Sequence, residues 1–323
     1  MSLSKLDYFR YLFNIYFLKR GTITKSWSSP SRLSEDSFEQ DPVKWAYPLD
    51  FSQDIHENLL TDEAGVPMID YANLGTYYNP WFVGHIALGY YSLWKRDQKL
   101  VHIDQFKTLA DWFVEQQVET EYGVTWMYNF DYFGGQKKPW KSGLSQAHGI
   151  SVLLRAASIF DKNKYESTAR KALNELTTPY TQGGPAYFRE DGTVSFEEYF
   201  TDPPYSVLNG HLFATISCWE ASLYFKGKKA EQITEAAFNF VKKYLPDYDL
   251  GFWSTYSLKS IAGRSDIASF HYHDVHIAQL KSAYRITGAP IFRTYASRFQ
   301  EYQNDKYRKS KAFMHKSFVK IMS

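Results

Sequence analysis

Glu197 and Glu198 stand side by side in the stretch FEEYFTDPPYSVLNGHLFA, which runs from Phe196 to Ala214. Paired acids between two elements are ordinarily a solvated loop edge. Here Phe196, Tyr199 and Phe200 flank them, and Pro203 and Pro204 stiffen the chain that follows. A carboxylate held among aromatic rings loses hydration, and that raises its pKa toward the range in which a general base works at neutral pH. Asn209 and Gly210 then fall early in a predicted helix, with proline tolerated just ahead of its first turns. On these residues alone the acids read either as a loop edge or as a base aimed at a substrate.

A second cluster lies in YDLGFWSTYSLKSIAGRSDIASFHYHDVHIAQL, which gathers Tyr256, Lys259, Arg264, His271, Tyr272, His273 and His276. His273 and His276 are spaced to share one helix face, an arrangement that can hold a metal ion. The sequence has no HExxH run and no obvious third ligand, so a capping or core role is the expected one and no metal site is assigned.

The elements that must position these side chains are helices. Apolar residues recur at helical spacing over 80–95, 102–118, 143–160, 163–177, 205–226, 229–245, 273–287 and 289–304. In HIDQFKTLADWFVEQQ, for example, Ile103, Phe106, Leu109, Ala110, Phe113 and Val114 fall on one face, away from Asp104, Lys107 and Glu115. The segments form four consecutive pairs, and repeated antiparallel pairs build an α/α barrel (toroid) or an α-solenoid. The connections between pairs are long, aromatic and glycine-containing, with short strand-like runs such as Val124 to Phe130. Long connections of this kind are uncommon without a function, so three of them mark one functional face. The predicted organisation is an N-terminal helix with irregular and short β structure over 1–70, a helical body over 71–305 and a basic tail over 306–323.

Composition limits the alternatives. A net charge of +2 over 323 residues is too small to indicate a nucleic-acid binder. The 26 Tyr, 24 Phe and 9 Trp suit either a surface that grips sugars or a tightly packed helical core. Cys218 is the single cysteine, so no intrachain disulfide forms, and a buried helix face is its expected place. The amino-terminal run LDYFRYLFNIYFLKRG is interrupted by Asp7 and Arg10 and reads as a first helix, neither a signal peptide nor a membrane span, so a cytoplasmic location is expected. Before the helical body, Pro30, Pro42, Pro48 and Pro67 predict loops and short strands. The tail carries Lys306, Arg308, Lys309, Lys311, Lys316 and Lys320 without an acid, either a solvated terminus or an attractor of anionic polymers.

Four ordered stretches carry a resemblance: YYNPWFVGHIALGYYSL, KPWKSGLSQAHGISVLLRAA, EEYFTDPPYSVLNGHLFA and FHYHDVHIAQL. From about Tyr71 to about Gln300 the chain resembles the carboxy-terminal domain of the D-glucuronyl C5-epimerases, which act on heparan sulfate or its precursor heparosan. The resemblance implies an α/α barrel of about four helical hairpins with short β-hairpins in the long loops. It also implies a homodimer, an anionic uronate-containing polysaccharide as partner, and conversion of D-glucuronate to L-iduronate within that polymer. Such a reaction removes the C5 proton beside the carboxylate and returns one from the opposite face, which needs two proton-handling groups and stabilisation of an enolate-like charge but no redox cofactor.

Carried over residue by residue, the family's catalytic glutamate matches Glu198, its neighbouring tyrosine Tyr199, and its two other catalytic tyrosines Tyr256 and Tyr272. Glu198 and Tyr272 are then expected on the two sides of C5, with Tyr256 and Tyr199 orienting the carboxylate or assisting transfer. A phenol of ordinary pKa about 10 is a weak base, so a cation beside Tyr272 is expected, from His273, Lys259 or Arg264. Lys259 stands where the family has an arginine and cannot make arginine's bidentate carboxylate contact, which makes Arg264 the expected carboxylate ligand. Trp140, Gln146 and His148 are expected to contact neighbouring sugars, and Asn209, Tyr78 and Asn79 to line the substrate site. Glu197 is expected to be solvated or to support Glu198.

Three other functions fit parts of this pattern. A uronate lyase also abstracts the C5 proton but then breaks the chain. A glycosidase needs a second carboxylate across the bond, which Asp131 or Asp249 would have to supply because adjacent acids cannot straddle it. A non-catalytic glycan-binding protein would use the aromatic loops and basic tail alone.

Overall fold

The computed structural model describes residue 10 and residues 12–18, 31–34, 43–71, 74–132, 135–261 and 263–322. Pro30, Pro42 and Asp7 lie outside these residues. A short hairpin of β1 (Arg32–Leu33) and β2 (Leu49–Asp50) comes first. One unit then repeats four times: an antiparallel two-stranded hairpin, an inner helix and an outer helix. The first unit is β3 (Ile69–Tyr71), β4 (Gly75–Tyr77), α1 (Pro80–Asp97) and α2 (Leu100–Glu115). The second is β5 (Val118–Glu119), β6 (Val124–Thr125), α3 (Gly143–Ile159) and α4 (Lys162–Leu176). The third is β7 (Ala186–Phe188), β8 (Val194–Phe196), α5 (Leu208–Phe225) and α6 (Lys228–Tyr244). The fourth is β9 (Thr255–Ile261), β10 (Arg264–Ile267), α7 (Phe270–Thr287) and α8 (Pro290–Asn304), after which α9 (Lys306–Met322) ends the described chain.

The fold is therefore mainly α, with strands confined to short hairpins. The inner helices pack in series, α1 on α3, α3 on α5 and α5 on α7, and each also packs on its own outer helix. The β1–β2 hairpin touches both α1 and α7, and so stands between the first and last units. Sequence character explains which helix is inner. α3 reads GLSQAHGISVLLRAASI, apolar or small on every side, and is buried almost throughout. α4 reads KNKYESTARKALNEL, with one apolar stripe and a charged face turned to water. Glycine lets the inner layer approach closely: a Cβ on Gly84 would fall 2.6 Å from the His148 Cβ, and one on Gly149 would fall 2.4 Å from the Trp126 ring.

Several boundaries depart from the periodicity. α7 begins at Phe270, ahead of the predicted 273, because the Ser269 side chain accepts from the Tyr272 backbone N–H and caps the helix there. α5 begins at Leu208 and not at 205. Ser206 takes a left-handed φ of 50° and Val207 bridges Ser257 of β9, which delays the helix. The strand-like run from Val124 contributes only β6 and a bridge from Tyr128 to Trp140. The basic tail is helical: α9 buries Ala312 and Phe313 and sets Lys316 against Asp266 and the Ile267 carbonyl of β10. Of the N-terminal run, Asn14–Leu18 form a π-helical turn in which Tyr16 packs on Trp253. Cys218 is buried, as expected. Among the described residues no helix is long and apolar enough to cross a membrane.

Candidate active site

A pocket of about 180 Å3 opens where the amino-terminal ends of the four inner helices meet the hairpin loops. Asn79 and Trp81 reach it from the start of α1, Ser142 and Leu144 from α3, Asn209 from α5, and His271 and Tyr272 from α7. The hairpins and their loops add Tyr71, Tyr128, Phe130, Tyr132, Trp140, Glu198 and Tyr199. Side-chain caps fix three of the helix starts: Asn79 accepts from the Phe82 N–H, Ser142 from the Leu144 N–H and Ser269 from the Tyr272 N–H. The frame that carries the polar groups is thus set by local capping as well as by the core.

Glu197 directly follows β8 and Glu198 opens the bend after it, and the two side chains go to different places. Glu197 turns inward, fully buried, accepting from the Ser195 hydroxyl at 2.7 Å, the Ser206 N–H at 2.8 Å and the Ser206 hydroxyl at 3.2 Å. It is not a solvated neighbour; it ties β8 to the turn before α5. Glu198 turns toward the pocket, with its Oε2 lying 2.6 Å from where a Cβ on Gly210 would stand. Only glycine leaves room there for the carboxyl. Burial pushes the Glu198 carboxyl up to about 7, against the lowering effect of hydrogen bonds from Tyr199 and Tyr256.

The tyrosines form a connected wall around it. The Tyr256 hydroxyl lies 3.5 Å from both Glu198 oxygens, and its ring is 4.8 Å from that of Tyr272. Tyr199 stacks nearly parallel on Tyr132, with ring centroids 6.0 Å apart. Trp140 stacks on Tyr128 at 3.9 Å and donates its indole N–H to the Phe130 carbonyl. Asn79 donates to the Tyr71 hydroxyl at 2.7 Å. Burial, followed by the nearby Glu198 charge, raises Tyr199 and Tyr256 well above the ordinary phenol value; Tyr272 is raised too, so these groups hold their protons at neutral pH.

Of the expected site residues, the structure brings Glu198, Tyr199, Tyr256, Tyr272, Trp140, Asn79 and Asn209 together. Others it does not. Gln146 is in the core, donating to the Val124 and Ala172 carbonyls, and His148 is buried against Phe51 and Phe213. His273 stacks on Trp253 at 3.8 Å and bonds Ser254 and the Phe299 carbonyl; burial lowers its pKa to about 3, so it supplies no cation. His276 shares the Ser254 hydroxyl. Tyr78 lies outside the pocket, donating to Asp62. Lys259 meets the Tyr205 hydroxyl and lies over that ring, in a separate cleft, while the Arg264 guanidinium covers Phe318 on α9. Among the described residues of the pocket lining there is therefore no cation beside Tyr272; His271 is held neutral there, its pKa lowered to about 4 by burial.

Sequence reasoning missed Tyr71, Tyr128, Tyr132, Trp81 and His271 as pocket residues. The signal available was the crowding of aromatic residues in the long connections, which marks a face but not individual side chains. Among the described residues no group of three or more His, Cys, Asp or Glu side chains is arranged to hold a metal ion.

The fold and pocket define a helical-hairpin protein with a buried carboxyl among phenols at one end. The D-glucuronyl C5-epimerase C-terminus family matches residues 116–301, more than half of the chain, and the protein belongs to that family. A D-glucuronyl C5-epimerase of Caenorhabditis elegans is 31% identical over 201 residues, covering 56% of this chain and 32% of the worm protein. An uncharacterized protein of Methanocaldococcus jannaschii is 28% identical over 182 residues, covering 55% of this chain and 58% of that protein. The chain thus spans about a third of one curated relative and somewhat over half of the other.

Proposed function

We propose that this protein epimerises D-glucuronate to L-iduronate residues at C5 within a heparosan-like polysaccharide. The observation that carries this reading is Glu198: one buried carboxyl of raised pKa facing a sugar-sized pocket, with Tyr256 in contact with both it and Tyr272. The ionised Glu198 takes the C5 proton, and the electron pair of the breaking C–H bond moves into the uronate carboxylate as an enolate. Tyr272 gives its phenolic proton to C5 from the other face. The proton left on Glu198 then returns to the Tyr272 phenolate through Tyr256, which resets the site with no net consumption of protons. Tyr199, bonded to Glu198, holds the carboxylate in place. Trp140 and Tyr128 offer stacked aromatic surface for the sugar ring.

A glycosidase is disfavoured because Glu198 is the one carboxylate among the described pocket residues. Asp131 pairs with Lys137, and Asp249 with Arg298 and Tyr302, away from it. Incubation with heparosan in heavy water, followed by NMR, tests the proposal. Deuterium at C5 with iduronate signals in an intact chain is the expected result. Unsaturated chain ends would identify a lyase, and no exchange with retained binding would leave a glycan-binding protein.

A further inference from the structure

α9 runs KYRKSKAFMHKSFVKIM from Lys306 to Met322 without one acidic residue. Its inner side is used: Ala312, Phe313 and Ser317 are buried, and Lys316 pairs with Asp266. On the other side Tyr307, Lys311, Met314 and Phe318 recur at steps of four, three and four, which puts them in one stripe along the helix. Tyr307 is 77% exposed, Met314 59% and Phe318 42%. Beside this stripe the amino-terminal turn leans on Phe313 with Phe13 and Phe17, two more exposed rings. Five of the twelve exposed large apolar side chains among the described residues therefore gather in one patch, whereas scattered ones need no explanation. Cations border the patch. The Arg264 guanidinium lies over the Phe318 ring at 4.4 Å, Lys311 Nζ lies 4.2 Å from the Phe252 ring, and Lys306 is exposed next to Tyr307.

We infer that this patch docks the protein on an anionic lipid bilayer, with α9 lying in the plane of the interface. Aromatic and thioether side chains bordered by lysine and arginine are the chemistry of a helix that seats its apolar side at the headgroup boundary and its cations against lipid phosphate. The stems of Lys and Arg lie along apolar surface while the charge stays in the headgroup layer, and Arg264 already lies over Phe318 in this way. Two other occupants fit less well. A polysaccharide offers hydroxyls and charge, which suit the lysines but leave Met314 and the phenylalanines in water. A second copy of the chain, packed through this face about a two-fold axis, would set the acid-free stripe against itself, cation against cation. No side chain that lines the pocket takes part, so docking is independent of the proposed reaction.

Flotation of the full chain with lipid vesicles tests this. Vesicles of phosphatidylcholine with about one third phosphatidylglycerol are compared with phosphatidylcholine alone, at low and at high salt. Wild type is expected to float with the anionic vesicles at low salt and to be released by high salt or by omission of phosphatidylglycerol. Two double variants divide the patch: Tyr307→Ser with Met314→Ser removes apolar contact, and Lys306→Glu with Lys311→Glu reverses charge. Each should weaken vesicle binding by about 10- to 100-fold while circular dichroism and thermal unfolding stay at wild-type values, because all four side chains are exposed. An apolar variant that floats like wild type, with the charge variant alone weakened, means plain electrostatic attraction and overturns the docking. Sedimentation equilibrium and a heparosan column separate the other occupants. A wild-type dimer that the apolar variant breaks, with no vesicle binding, assigns the face to a second copy and overturns the membrane. Heparosan retention that the charge variant loses, again with no vesicle binding, assigns it to the polymer and does the same. Wild type that binds none of the three overturns it as well.

Discussion

At the scale of single residues the site depends on one carboxyl kept in an unfavourable place. Replacing Glu198 with Gln is expected to lower C5 exchange by about a thousandfold while heparosan binding is retained, because only the proton acceptor is lost. In the wild type, turnover should rise with pH up to about 7, as the Glu198 carboxyl ionises, and then level off. The same raised pKa has a consequence for stability. In the native state the proton stays on until about 7, whereas the unfolded chain releases it near the ordinary value, so stability falls as pH climbs between the two. Glu198→Gln should therefore be more stable than wild type at pH 8, by on the order of 3 kcal/mol, with the advantage vanishing below about pH 4; urea unfolding at the two pH values measures it. Tyr272→Phe separates the two faces of the reaction. Without the second proton donor, deuterium should still enter C5 from the Glu198 side, giving labelled glucuronate with no iduronate signals.

At the scale of elements, the inner helices hold the pocket through contacts well below it. Arg155 of α3 and Glu220 of α5 are both fully buried, with Nη2 2.6 Å from Oε1, and the Ser151 hydroxyl donates to the other carboxylate oxygen. Removing one partner strands a buried charge, so Glu220→Ala should cost about 3–5 kcal/mol in urea unfolding. The helices themselves were legible in the sequence, since α1 to α8 begin and end within a few residues of the periodicity. What periodicity does not contain is the cap. Ser269 starts α7 a turn early and so turns His271 and Tyr272 from loop residues into first-turn residues facing the pocket. The acidic pair was legible as chemistry, but which of the two acids faces the pocket becomes visible only with the bend that follows β8. His273 and His276 share a buried face of α7, the core role expected of the pair. His273 fails only as a cation, because it packs on Trp253 and Phe299, where burial lowers its pKa to about 3.

At the scale of the whole molecule, the last helix braces the site from outside. α9 buries Phe313 among Tyr16, Phe13 and Phe17 of the amino-terminal turn, and Lys316 donates to the Ile267 carbonyl at the end of the β9–β10 hairpin. That hairpin carries Tyr256, and Tyr16 in turn packs on Trp253 just ahead of it. The two ends of the described chain thus meet on the back of the strand pair that holds a proposed proton carrier beside Glu198. Phe313→Ala removes the ring that joins them and leaves a cavity, at a cost of about 3–5 kcal/mol. If α9 is only a solvated terminus that happens to be helical, hydrogen exchange should rise within α9 alone and turnover should not change. If it braces the hairpin, the amides of Thr255–Ile261 lose protection as well. Turnover on heparosan then falls while KM moves little, because Tyr256 and not the sugar-stacking surface has been loosened.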